Sequence, residues 1–280
     1  MKILSIEQVL EKLRAYGAPV HCELYRRYQV WYATPSPGTA FYEDRGCVVV
    51  TDAYRSEGTQ HLFYNLHQVA PNAELHTVKQ DWEARLREKM RMATHPNALL
   101  NVLCVAQDHK LPKAFSQVPG WYHYTCAGRH EIPHAQVRKL DAHDQSIFQT
   151  FCAQACAVKD TSYGTLLASD LSCFPLEKSD RPELYGLFAD GRLQGVATAE
   201  KVSELGLAWL EDVYVLPSAR GKGYGKALVS TALSPYPTLL WHYQCGSDNA
   251  ASMRLASALG FSFAGASCLF PMTEDNGGPV

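Results

Sequence analysis

Between Leu210 and Val229 a strand-like run, Leu210 to Val215, enters a turn with Gly221, Gly223 and Gly225. It leaves as a helix-patterned segment carrying Tyr224, Ala227, Leu228 and Leu233, which ends before Pro235. A strand joined to a helix by so few residues points to an α/β fold, and the turn itself points to an anion. Glycines let backbone N–H groups converge, a helix N-terminus adds partial positive charge, and Arg220, Lys222 and Lys226 add full charges. A pyrophosphate fits such a nest. The two commonest phosphate loops do not fit this sequence. Walker A spacing requires Gly in place of Arg220 and Ser or Thr in place of Ala227, and the dinucleotide fingerprint requires Gly in place of Lys226. A plain turn with solvated cations is the bland alternative, and three glycines with three cations in one short stretch weigh against it.

The remainder of the chain is long enough for a second lobe, since 280 residues amount to two domains of roughly 150 residues. Near the start, Ser5 and Gln8 resemble a capping box before Ile6, Val9, Leu10 and Leu13, and Gly17 and Pro19 stop that helix. Strand-like runs follow at Tyr28 to Ala33 and Cys47 to Thr51. A second helix is predicted to start at Thr77 with Gln80 completing another capping box, placing Trp82, Leu86 and Met90 on one face. Ala98 to Ala106 and Trp121 to Cys126 read as further strands. The pattern breaks between Gly128 and Pro133, which divides the chain into an N-terminal α/β lobe over 1–130, a second domain over 134–270 and a tail at 271–280. In the second domain come a short strand from Gln136 to Leu140, a helix through Ile147, Phe151 and Cys152, and a hairpin. The hairpin joins Leu184 to Ala189 with Leu193 to Ala199 through Asp190 and Gly191. The strand from Leu207 to Val215 then leads into the glycine turn.

At the glycine turn the chain resembles the GNAT superfamily of acyl-CoA-dependent N-acetyltransferases. Arg220, Gly223 and Gly225, behind Glu211 to Val215 and Pro217, look like that family's pyrophosphate motif, and Asn249, Ser252, Leu255, Gly260 and Phe261 match its following strand and helix. The resemblance covers about residues 134 to 270 and is closest to two-lobed bacterial members. It implies a mixed twisted sheet with flanking helices, and acetyl-CoA as co-substrate. Val213, Tyr214 and Val215 would then splay from the neighbouring strand and offer backbone N–H groups to the pantetheine and thioester carbonyl. Arg220, Gly221, Lys222, Gly223, Tyr224, Gly225 and Lys226 would hold the pyrophosphate, with Asn249 and Ser252 toward the pantetheine arm. Glu211 stands where several members keep the base that takes the amine proton, and strand alternation is expected to put it on the face of Val213 and Val215, with Asp212 opposite. Many members carry a Tyr that protonates the leaving thiolate; this chain has Ala256 there. Tyr243, Cys245 and Ser252 are nearby candidates for that role. The expected acceptor is the amine of a small molecule or peptide, and the rival reading is a non-catalytic acyl-CoA-binding or regulatory protein.

Charge and composition exclude other classes. A net charge of −2 provides no overall field for nucleic acid or anionic membrane, and no stretch approaches the roughly 20 apolar residues of a membrane span. The nine cysteines form no CxxC pair, which suits a reduced, cytoplasmic protein. His130 to His134 spells the zinc-protease string HExxH, but Pro133 within it opposes the helix that string needs, so no metal is expected. Cys152 and Cys156 read as buried small residues.

Overall fold

The structure is a computed structural model that describes residues 1–17, 35, 37–93, 96–105, 111, 115, 119–157 and 182–272. Along the chain the elements are β1 (Lys2–Leu4), α1 (Ile6–Tyr16), β2 (Ala40–Asp44), β3 (Cys47–Ser56), β4 (Thr59–Gln68), α2 (Leu75–Met92), β5 (Pro96–Val105), β6 (Pro119–Ala127) and β7 (Val137–Lys139). They continue with α3 (Gln145–Ala157), β8 (Glu183–Ala189), β9 (Arg192–Val202), β10 (Leu207–Val215), α4 (Tyr224–Leu233), β11 (Leu240–Gly246), α5 (Ala250–Ala258) and β12 (Ser262–Met272). The chain forms two compact units. The first comprises Met1–Tyr124, Cys245–Ala250 and Ser262–Val280; the second comprises Thr125–Gln244 and Ala251–Phe261. Among the described residues no helix is long and apolar enough to cross a membrane.

In the first unit the strands run in the order β1, β2, β3, β4, β5, β12. Neighbours are antiparallel except β4 and β5, which are parallel. Sequence order places β12 last in the second half, but its pairing with β5, from Gly265 opposite Val105 to Met272 opposite Ala98, belongs to the first unit. The Ser5–Gln8 capping box forms at the start of α1, Val9 and Leu13 are fully buried, and Gly17 closes the helix at φ +64°. The second expected capping box does not form. Helix α2 begins two residues before Thr77, after Glu74, which makes no side-chain cap. Burial of Leu75 together with Val78, Trp82, Leu86 and Met90 favours the earlier start, and the Glu74 N–H is satisfied by Arg45 O at 3.1 Å. Strand β4 escaped the sequence reading although Leu62, Tyr64 and Leu66 alternate at the strand period and are buried. The strand expected at 28–33 and the tail from residue 273 lie outside the described residues.

The second unit has the order β7, β8, β9, β10, β11, antiparallel except for the parallel pair β10 and β11. The β8–β9 hairpin forms as expected, with Asp190 at φ +51° and Gly191 at φ +72°, the positive values a two-residue turn of this hand requires. On one sheet face α3 buries Phe148, Phe151, Cys152 and Ala155 against Leu184, Val196, Tyr214 and Leu216, with Phe151 and Tyr214 edge to face at 6.0 Å. Cys156, one turn after Cys152, is exposed and not buried as expected, because it lies beyond the apolar stripe of α3. Helix α4 covers the opposite face. A Cβ on Gly195 would stand 3.0 Å from Leu228 Cδ1 and 2.9 Å from Tyr214 O, so glycine lets α4 sit close beneath the end of β10. Arg138 donates twice to buried Asp144, at 2.6 Å each, tying the edge strand β7 to the start of α3.

Candidate active site

The site starts where two parallel strands part. β10 and β11 pair from Leu207 opposite Leu240 to Leu210 opposite Tyr243, yet β10 continues to Val215. On its other side β10 stays paired with β9 through Val215 opposite Gly195, and the Leu216 N–H donates to Gln194 O at 2.9 Å. Backbone groups alternate along a strand, so the N–H groups of Val213 and Val215 point the other way, toward the side on which β11 has stopped pairing. Two donors two residues apart thus line the opening, the arrangement that stabilises a carbonyl oxygen acquiring charge.

A bulge precedes these donors. Leu210 opposes Ala199 and Val213 opposes Ala197, so β10 carries one more residue than β9 over that interval. The extra residue changes the faces expected from plain alternation. Leu210, Val213 and Val215 share a face, whereas Glu211 and Asp212 both stand opposite Thr198. The Asp212 N–H donates to Thr198 Oγ1 at 2.9 Å, and that hydroxyl donates to Asp212 Oδ2 at 3.3 Å. Thr198 is buried, while Glu211, Asp212 and Val213 are half-buried.

Beyond Val215 a single helical turn at Pro217–Ala219 delivers the chain to the glycines. Gly221 and Gly223 sit at φ +80° and +79°, and a Cβ on either would meet no atom within 4 Å. Glycine is needed there for conformation, not for room. Gly223 caps α4 without a side chain, leaving the first-turn N–H groups to an incoming anion. Gly221, Lys222, Gly223, Arg220 and Lys226 are exposed around that turn, and Tyr224 and Gly225 are half-buried. The Arg220 Nε donates to Val215 O at 3.0 Å and its guanidinium lies 5.6 Å from the Tyr214 ring, so its charge is held beside the end of β10. Lys222 Nζ lies 6.0 Å from the Tyr224 ring. Open space over two left-handed glycines, a helix N-terminus and three cations match a pyrophosphate.

The other predicted residues are more dispersed. Ser252 is half-buried in the first turns of α5, in the second unit; Asn249, just before α5, is half-buried in the first unit and its N–H donates to Gly246 O at 3.0 Å. Tyr243 is buried on the last β10–β11 rung, 6.0 Å from the ring of Phe261, and Ala256 is fully buried. Sequence reasoning missed Thr198, and it missed His242, which faces Trp209 across β10 and β11 with ring centroids 6.1 Å apart. Burial pushes the His242 pKa down to about 3, so the imidazole is neutral near pH 7. Only the strand register brings these residues to the site. His130 to His134 is not helical: Glu131 pairs with Arg129, and the His134 N–H donates to Thr231 Oγ1 at 2.8 Å. Among the described residues no cluster of His, Cys, Asp or Glu could hold a metal ion.

The acetyltransferase (GNAT) family model matches residues 147–261, a span that holds the bulge, the parting strands and the glycine turn. Over these residues the chain is similar to GNAT acetyltransferases. Likeness in fold extends over the whole chain. A tandem GNAT protein from the clavulanic acid biosynthesis pathway superposes with a TM-score of 0.53 at 14% identity, covering 98% of this chain and 99% of that one. A Drosophila protein does so with 0.51 at 15% identity and the same coverage. No curated protein matches the sequence.

Proposed function

We propose that the protein transfers an acetyl group from acetyl-CoA directly to the amine of a small molecule or peptide, without a covalent enzyme intermediate. The observation that carries this reading is the parting of β10 from β11, which leaves the Val213 and Val215 N–H groups facing the opening. Acetyl-CoA supplies an activated acyl carbon on a sulfur leaving group. The glycine turn and Arg220, Lys222 and Lys226 hold its pyrophosphate, while Val213 and Val215 polarise the carbonyl oxygen. Glu211, half-buried at the bulge two and four residues before those donors, accepts a proton from the ammonium form of the acceptor, directly or through water. The neutral nitrogen forms the C–N bond, the C–S bond breaks, sulfur leaves with its electron pair, and the nitrogen sheds a second proton, which balances the one the thiolate takes up. Ala256 brings no hydroxyl to the thiolate; Tyr243, with its ring on the last paired rung, is the candidate to supply the proton.

Calorimetry with acetyl-CoA, followed by thiol release over a panel of amines, tests this reading. Micromolar binding and turnover on at least one amine are expected. Failure to bind at submillimolar concentration removes it, and binding without turnover favours the non-catalytic acyl-CoA-binding role that Ala256 suggests. Glu211→Gln should lower kcat about a hundredfold, while leaving acetyl-CoA affinity within about twofold.

A further inference from the structure

We propose that Thr198 is a positioning residue for acetyl transfer, its hydroxyl locking the β10 bulge so that the Val213 and Val215 N–H groups face the opening. The inference rests on the acetyl-transfer reading above for its catalytic consequence, and on hydrogen bonds for its structural one. Thr198 is the single β9 residue set against two residues of β10. Its hydroxyl is used in both directions, accepting from the Asp212 N–H at 2.9 Å and donating to Asp212 Oδ2 at 3.3 Å. At 1% exposure it has no water to take over either bond. A β-branched side chain suits this place, because χ1 of threonine is stiff and Oγ1 is held toward the neighbouring strand.

The consequence follows from strand parity. The bulge sits between Leu210 and Val213, immediately before the two donors. If β10 paired with β9 without the extra residue, every following backbone group would reverse its side. Val213 and Val215 would then turn their N–H groups to β9, and Tyr214 would present its own to the opening. The Val215 carbonyl, which accepts from Arg220 Nε at 3.0 Å, would lose that partner as well. One buried hydroxyl therefore sets the direction of the proposed carbonyl donors and the seat of a pyrophosphate cation. The glycine turn beyond it keeps its own conformation through Gly221 and Gly223.

Thr198→Val keeps shape and removes both bonds; Thr198→Ser keeps the hydroxyl. On an amine that the wild-type protein acetylates, Thr198→Val should lower kcat about tenfold, the size expected when one buried donor loses its acceptor. Affinity for CoA itself should fall less, by no more than about threefold, because CoA has no carbonyl at the thioester position and only the seat of Arg220 is disturbed, and Thr198→Ser should stay within about threefold of wild type in kcat. Hydrogen exchange of the ligand-free protein supplies a readout that needs no activity: amides in Glu211 to Val215 should exchange about tenfold faster in Thr198→Val but not in Thr198→Ser. An unchanged kcat overturns the proposal. So does a fall in kcat matched by an equal fall in CoA affinity and faster exchange throughout the second unit, which would mean a general packing role. If the wild-type protein acetylates no amine, the acetyl-transfer reading fails by itself, and unchanged exchange at 211–215 in Thr198→Val would separately sink the bulge lock.

Discussion

Each unit contains a strand, a helix and a second strand parallel to the first, and the two differ in how far the parallel strands stay together. In the first unit β4 and β5 pair from Gln60 opposite Pro96 to His67 opposite Leu103, nearly the full length of β4. Side chains reinforce the closure, with Asn101 Nδ2 donating to Asn65 Oδ1 at 3.2 Å and the Val105 N–H to Gln68 Oε1 at 3.4 Å. In the second unit β10 and β11 pair only as far as Leu210 and Tyr243. The connecting turns differ in the same sense. Val69 to Glu74 has no glycine, lysine or arginine and sets a carboxylate before α2, whereas the turn before α4 has two left-handed glycines and two cations, with Lys226 in the helix's first turn. A parallel crossover is thus a scaffold only; opened strands and a bare, cationic helix N-terminus make it a site.

The sharpest way to break that comparison is to count ligands. One CoA per chain is expected by calorimetry, and two would mean that the closed crossover also binds. Gly223→Val forces a β-branched residue into left-handed angles and should weaken acetyl-CoA binding about a hundredfold or more. The corresponding change in the first unit's turn, Asn72→Val, should leave affinity within about twofold. Next in size, Lys222→Glu should weaken CoA binding about tenfold, with the loss shrinking at high salt, because it places a carboxylate beside the proposed pyrophosphate. Lys222 serves better than Arg220 for this test, since Arg220 also holds the Val215 carbonyl.

These sites were unequally legible in the sequence. The glycine turn could be read directly because its chemistry is local: positive φ, a helix N-terminus and cations all lie within a few residues. Hairpin β8–β9 was legible for the same reason through Asp190 and Gly191. The faces of Glu211 and Asp212 were not, because a bulge is a property of two strands, and nothing in Leu-Glu-Asp-Val tells how many residues of β9 oppose it. Thr198 and His242 were missed on that ground too, being far in sequence from the turn and brought near by register. The start of α2 was misread because a local cap signal at Thr77 lost to burial of Leu75, a tertiary effect.

Smaller effects concern what keeps the second unit folded around its opened strands. Arg138 and Asp144 join β7 to α3, and the Arg138 guanidinium holds the Asp144 carboxyl below the usual carboxylate range. Asp144→Ala should destabilise by about 2 kcal/mol in urea unfolding near neutral pH, since it leaves that guanidinium without its bidentate partner. A carboxyl pKa lowered in the folded state stabilises above its unfolded value. The contribution is therefore full above about pH 4 and is lost as pH falls through the folded pKa.

His242 gives the smallest effect and a different pH window. Burial lowers its folded pKa from 6.5 to about 3, so the folded protein keeps the imidazole neutral while the unfolded chain takes up a proton below about pH 6.5. The folded form is favoured in full above that pH and loses ground as pH falls toward 3. Between pH 7 and pH 6 the loss amounts to about 0.7 kcal/mol, steepening to about 1.4 kcal/mol per pH unit below. His242→Gln cannot titrate there, so the difference in urea midpoint between the variant and wild type should narrow steadily from pH 7 to pH 5. A difference independent of pH would mean that the folded protein protonates His242 as readily as the unfolded chain does. The paired base of the opened strands would then be wetter than its complete burial beside Trp209 implies.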